Sequence, residues 1–254
     1  MKNRNSSGPT KSPKIAIVTG ASSGLGLAIS KKLLDKKWIV FGLSKTKKHW
    51  KYANKQLQGG GRFLLYQCNV AKENDVKHFF LAFKKKADHL DLLINNSGYA
   101  SKLQRLDDIS SFEFMVNIKH NLLSVFLMCK YAIPILHKVT RGFIINISSM
   151  AGKRAVPKLA AYSASKFGVL ALSQCVAKEN TTKISCVTAC PGGMNTKMRK
   201  DLFGKKDAER QQSPEYVASV LFDIIDGKIK IESGGDVLIR HGKITAINDP
   251  PSPI

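Results

Sequence analysis

Ile15-Ala16-Ile17-Val18-Thr19-Gly20-Ala21-Ser22-Ser23-Gly24-Leu25-Gly26 is the stretch that decides how this chain folds. A short β-branched apolar run ends in three glycines spaced Gly-x3-Gly-x-Gly, and a helical pattern begins at once, about Leu25–Lys36. A strand that turns straight into a helix through glycines brings backbone close to whatever lies at the turn. The helix start offers unpaired N–H groups and the positive end of its dipole, which suits a pyrophosphate. A glycine triplet alone is weak evidence; the strand before it and the helix after it supply the confirming context.

The same alternation runs through the chain. Apolar runs at Ile15–Thr19, Trp38–Leu43, Phe63–Gln67, Leu92–Asn95, Phe143–Ser148, Ile184–Ala189 and Val237–Ile239 bracket helical patterns. These lie at about Trp50–Gln58, Asn74–Ala87, Ile109–His137, Ala160–Lys178 and Pro214–Asp226. The runs are continuously apolar, as expected of strands covered on both faces. Repeated strand and helix predict βαβ units, hence an α/β single-domain Rossmann-type doubly wound parallel sheet of about seven strands with helices on both faces. Ligands then bind at the carboxyl ends of the strands. A basic arm over residues 1–13 is expected to be disordered, the domain to span 14–247, and a Pro-rich tail to follow over 248–254. The polar, basic segment Asn195–Ser213 is placed to act as a lid.

Composition narrows the class. The chain has 254 residues, 43% of them hydrophobic, enough for one large core. No apolar stretch approaches the about 20 residues of a spanning helix, and the N-terminus lacks the apolar core of a secretory signal. Five cysteines form no CxxC pair. Cys186 and Cys190, four apart in an extended run, lie about 13 Å apart, too far for a disulfide. They read as buried thiols of a reducing, cytoplasmic compartment, with no metal expected. Forty-one basic against 18 acidic residues give a net charge of +23. The lysines are spread along the chain without a nucleic-acid motif, so they read as a solvated surface, with no nucleic acid or membrane expected as partner.

Two further features carry chemistry. Tyr162 and Lys166, four apart in a helical run, project from one helix face. A free tyrosine titrates near 10, and a neighbouring ammonium lowers that value, which equips the phenol to exchange a proton with an alkoxide. Ser149 ends the fifth strand, 13 residues before Tyr162. Its hydroxyl can steady charge on a substrate oxygen. Ser148 is the competitor, pointing to the other face of the strand.

Thr19–Gly26, Asn95-Asn96-Ser97-Gly98, Phe143–Ser149, Tyr162-Ser163-Ala164-Ser165-Lys166 and Pro191-Gly192 with Thr196 occur in order over residues 14 to 240. Together they resemble the classical short-chain dehydrogenase/reductase family, whose fingerprints are TGxxxGxG, NNAG, a catalytic Ser, YxxxK and a Pro-Gly turn. The resemblance implies Ser149, Tyr162 and Lys166 as catalytic residues, with an asparagine of the long fourth helix holding a water. Asn121 and Asn117 both qualify, and Asn121-Leu-Leu-Ser-Val-Phe fits the family's Asn-x3-Val-Phe pattern better.

For the cofactor, the resemblance implies contacts from Thr19, Gly20, Ser22, Ser23, Gly24, Leu25 and Gly26. It implies others from Asn95, Ser97 and Gly98, from the nicotinamide-end residues Pro191, Gly192 and Thr196, and from Tyr162 and Lys166, the lysine holding the ribose. Asn69, where the family commonly has Asp, and Val70 stand at the adenine. The second strand ends Leu43-Ser44-Lys45 with no acid to repel a 2′-phosphate. NADP(H) is therefore favoured over NAD(H), with Ser44 and Lys45 as its contacts.

Tyr99, Met150, Lys153, Arg154, Val156, Gly193 and Met194 are expected around the substrate. The expected reaction is reversible reduction of a ketone or aldehyde to an alcohol by NADPH. A 3-oxoacyl thioester on an acidic acyl carrier is one candidate substrate, its encounter aided by the basic surface. A homo-tetramer or homo-dimer is implied by the resemblance. The alternative is a noncatalytic NADP(H)-binding regulator with a basic nucleic-acid-binding surface, against which the intact Ser149, Tyr162 and Lys166 speak.

Overall fold

A computed structural model describes residues 12–57 and 61–251. Most of the expected basic arm, Gln58 at the end of the second helical pattern, and the end of the Pro-rich tail lie outside the described residues.

The elements alternate as the apolar runs predict. β1 (Ile15–Thr19), α1 (Gly24–Asp35), β2 (Ile39–Ser44), α2 (Trp50–Leu57), β3 (Phe63–Gln67), α3 (Glu73–Lys84) and β4 (Leu92–Asn95) form the first half. α4 (Ser111–Ile118), α5 (Ser124–Leu136), β5 (Gly142–Ile147), α6 (Ala160–Glu179) and β6 (Ile184–Pro191) follow. The chain closes with α7 (Lys197–Phe203), α8 (Lys205–Glu209), α9 (Pro214–Ile225), β7 (Asp236–Arg240) and β8 (Lys243–Asn248).

The sheet order is β3-β2-β1-β4-β5-β6-β7-β8, parallel except for β8. The order reverses between β1 and β4, and that switch point puts the glycine turn after β1 beside the end of β4. β1 shows why the runs are continuously apolar. Ile15 and Ile17 pack into a core with α3, α5 and α6, whereas Ala16 and Val18 pack into a second core with α1 and α9. Successive side chains face opposite sides, and helices cover both.

Eight strands are present where about seven were expected. The eighth, β8, is an edge strand whose residues alternate between exposed and half-buried, so it never forms an apolar run. His241 and Gly242 join it to β7 with φ of 52° and 69°, both positive as a two-residue type I′ hairpin requires. β8 carries through Asn248, whose side chain bonds Asp236, one residue into the expected tail.

The long pattern expected as one helix, Ile109–His137, is three pieces. Ser110 caps α4, its hydroxyl accepting from the Glu113 N–H, and a π-helical turn over Lys119–Leu123 separates α4 from α5. Asn121 sits in that turn and holds both backbone groups of Tyr99. It accepts from the N–H and donates to the carbonyl, each at 2.8 Å. A widened turn at that point places the amide where an ideal helix would not.

Candidate active site

The glycine turn is locked by its neighbours. The Thr19 hydroxyl accepts from the Asn96 and Ser97 N–H groups, each at 2.9 Å, and the Asn96 side chain donates to the Thr19 carbonyl at 2.8 Å. A Cβ on Gly26 would lie 2.2 Å from the Gly20 carbonyl oxygen, so helix and turn touch through bare backbone. Gly24 has φ of 51°, in the left-handed region that glycine adopts freely.

This turn forms one wall of a cleft with a cavity of about 440 Å³. Most of the residues expected around a dinucleotide line it: Gly20, Ser22, Ser23, Gly24 and Leu25 from the turn, Ser44 and Lys45 after β2, and Asn69 and Val70 after β3. Ser97, Gly98, Tyr162, Lys166 and Thr196 complete that set. Three lysines and two histidines line the cleft, and no carboxylate does. Exposed backbone N–H groups, a glycine cradle and this charge fit an elongated, multiply phosphorylated ligand.

Other expected cofactor residues lie behind or beside the cleft. Thr19 and Gly26 shape the turn from within. Asn95 is buried on the far side of β4, donating to Asn146 Oδ1 at 2.8 Å, because neighbouring strand residues face opposite sides and Asn96 takes the cleft side. Pro191 and Gly192 line an adjoining cavity of about 480 Å³. The two spaces share Ser148, Tyr162, Met194, Thr196 and Met198, so the tyrosine stands at their junction.

Of the residues expected around the substrate, Met150, Arg154, Val156, Gly193 and Met194 line the second cavity. Tyr99 and Lys153 do not. The Tyr99 ring packs toward His120, and Lys153 turns away to pair with the buried Asp236 at 2.8 Å. A buried carboxylate holds its cation firmly, since losing the partner would strand a charge. The Asn195–Ser213 segment folds into α7 and α8 over the second cavity, contributing Met198, Leu202 and Phe203. The two cavities are also lined by His49, His120, Lys197, Arg199, Arg240 and His241, to which the sequence assigns no site role. They belong to no motif, and distant loops bring them together.

The catalytic candidates converge. Ser149 caps a short 3-10 turn, its hydroxyl accepting from the Ala151 N–H at 3.1 Å, and it lines the second cavity together with Tyr162. Ser148 is occupied elsewhere, donating to the Lys166 carbonyl at 2.8 Å. Lys166 is buried, donates to the Ile147 carbonyl at 2.8 Å, and has its Nζ 5.7 Å from the centre of the Tyr162 ring. Asn121 approaches the same place: a Cβ on Gly98 would lie 3.2 Å from its Oδ1 and 3.6 Å from Lys166 Nζ. Asn117 faces away, donating to Ser101 and to the Glu113 carbonyl.

The electrostatics depart from the expectation that the lysine lowers the tyrosine. Burial raises the Tyr162 phenol, and the Ser149 hydrogen bond opposes that rise. Burial also pushes Lys166 down to about 8. The ammonium therefore loses its charge first as pH rises. The kcat/KM of any reaction that needs this ammonium is expected to fall with unit slope above about pH 8. Lys166→Arg, which stays charged, should push the fall upward by more than about 1 pH unit even if its absolute rate is lower. A profile flat to pH 10 would remove the ammonium from the reaction.

A family model described as short chain dehydrogenase matches residues 14–207. A human 3-oxoacyl-[acyl-carrier-protein] reductase is 32% identical over 240 residues, covering 89% of this chain and 99% of that protein. A 3beta-hydroxysteroid dehydrogenase from Mediterraneibacter gnavus is 31% identical over 185 residues, covering 72% of this chain and 67% of its own. Among solved structures, a short-chain dehydrogenase from Shigella flexneri complexed with NADP superposes with a TM-score of 0.82 at 19% identity, covering 89% of this chain and 96% of that one.

Proposed function

This chain belongs to the short-chain dehydrogenase family, and we propose that within it the protein reduces a ketone or aldehyde to an alcohol with NADPH, reversibly. The observation that carries the reading is the meeting of Ser149, Tyr162 and Lys166 where a phosphate-suited cleft opens into a second, partly apolar cavity.

The bound nicotinamide supplies a hydride. The chain does the rest. Ser149 and Tyr162 hold the carbonyl oxygen between two hydroxyls. The Tyr162 phenol, kept protonated by its raised pKa, gives its proton as negative charge develops there. Lys166 places a positive charge beneath the phenol and stabilises the phenolate left behind. Asn121 fixes the Tyr99 backbone above Lys166 and is the residue for a proton-relay water. The reaction is tested by NADPH consumption on a panel of a 3-oxoacyl thioester, a diketone and an aromatic aldehyde; no turnover despite tight NADPH binding would count against it.

The adenosine end of the cleft supports a preference for NADP(H). Ser22 and Ser44 lie hydroxyl to hydroxyl at 3.0 Å, with Lys45, Thr46 and His49 around them. A 2′-phosphate gains charge-assisted hydrogen bonds there, and no acid repels it. NADPH is expected to bind about tenfold or more tighter than NADH, and Lys45→Asp to abolish that difference. Equal affinities in the parent protein would refute it.

Self-assembly into a dimer or tetramer belongs to the same proposal. Phe112, Met115, Phe126 and Phe167 are exposed on α4, α5 and α6, and burying them against a second copy recovers apolar area. Light scattering on the purified chain reads the mass directly.

A further inference from the structure

The second cavity is basic and short of counter-ions. Three arginines and a histidine line it, and no aspartate or glutamate does. Arg199 is already paired with Asp207 and lies 3.8 Å from the centre of the Phe203 ring. Arg154 and Arg240 have no carboxylate partner among the described residues. The Arg240 guanidinium comes within 3.5 Å of the His241 ring, long for a hydrogen bond.

The β7–β8 turn that presents Arg240 and His241 is held in place. Gln212 donates to the Ile239 carbonyl at 2.9 Å and accepts from the Gly242 N–H at 3.2 Å. The Arg240 stem lies against Gly192, where an added Cβ would meet its Cγ at 3.0 Å. Met150, Leu159, Leu202 and Phe203 supply apolar wall to the same cavity, which also reaches Tyr162 and Ser149.

We propose that the substrate is a small carbonyl compound bearing an oxyanion group, held by Arg154 and Arg240 while its carbonyl lies against Ser149 and Tyr162. The proposal rests on the reductase reading and names the substrate class for it. Unpaired cations in a concave site focus their field on an incoming anion. The planar guanidinium fork matches the oxygens of a carboxylate or phosphate. The apolar wall suits the carbon skeleton that joins the anion to the carbonyl.

The test compares 4-formylbenzoate with methyl 4-formylbenzoate, the same aldehyde with and without the charge. NADPH consumption and equilibrium binding to the NADP⁺-loaded protein are measured for both. The acid should exceed the ester by about tenfold or more in kcat/KM. Arg154→Gln combined with Arg240→Gln should bring that ratio to about one. Lys243→Gln removes the same charge from the same hairpin outside the cavity and should leave the ratio intact. A matched 4-formylphenyl phosphate arm ranks the two oxyanions. A ratio near one in the parent protein, or one that survives the double substitution, overturns the proposal. If neither aldehyde turns over, binding decides. Acid-selective binding lost in the double variant upholds the anion site while the absent turnover counts against the reductase reading, whereas equal binding overturns the anion site.

Discussion

Tyr162→Phe should lower kcat by about a thousandfold while the protein remains folded and still binds NADPH. The substitution deletes one hydroxyl and leaves the ring in its place at the junction of the two cavities. What is lost is the proton donor for the developing alkoxide, an interaction made fully only in the transition state, so kcat falls rather than KM rising. Because burial raises the phenol, it is protonated throughout the neutral range and serves as acid in the reductive direction. Stopped-flow absorbance at the nicotinamide band separates hydride transfer from product release. A loss smaller than tenfold would mean that the proton comes from another group, and Ser149 would be the next candidate. Ser149→Ala should cost less than the tyrosine change, since it removes orientation and one hydrogen bond to the substrate oxygen but leaves the Tyr162 proton donor in place.

Gly26→Ala is the second large effect, and it acts through the backbone. The new Cβ would lie 2.2 Å from the Gly20 carbonyl oxygen, 2.7 Å from the Gly20 carbonyl carbon and 2.6 Å from the Asn96 side-chain nitrogen. Two of those three atoms are main chain, so nothing can swing aside. Alanine would favour the helix by about 1 kcal/mol relative to glycine. Overpacking costs typically about 1–3 kcal/mol, and displacing Asn96 also sacrifices its hydrogen bond to the Thr19 carbonyl. A net loss of about 2 kcal/mol lowers Tm by about 4–8 °C in a domain of this size. NADPH affinity should fall more than about tenfold, because the displaced turn is the phosphate cradle itself. Differential scanning fluorimetry and a fluorescence titration measure the two effects. Parent-like values in both would show that helix and turn separate without cost.

The chain's local order settled much of this protein. A strand, a glycine turn and a helix are contiguous, and their periods are written in Ile15–Asp35, so the α/β class and the phosphate-suited turn were legible there. Tyr162 and Lys166 share a helix face because four residues separate them, and Ser149 lies two residues past the end of its strand, at the cap of the turn that follows. Each of these depends on contacts a few residues apart.

Tertiary structure decided what depends on distant segments. Which of Asn95 and Asn96 faces the cleft is set by the pleat of β4 against its neighbours, and Asn96 took it. Asn121 was preferred on pattern, but its place near Lys166 depends on a π turn stabilised by Tyr99, 22 residues earlier. Lys153 looked like a substrate contact until β7 brought Asp236 within 2.8 Å. The direction of the Tyr162 shift is upward because burial, a property of the whole packing, outweighs the opposing hydrogen bond from Ser149. Arg154, Arg199, Arg240 and His241 share one cavity wall although some 87 residues separate the first from the last. Strand and helix periods report only short-range order, and the meeting of loops at the carboxyl end of a sheet is fixed by strand order and register, which no local pattern encodes.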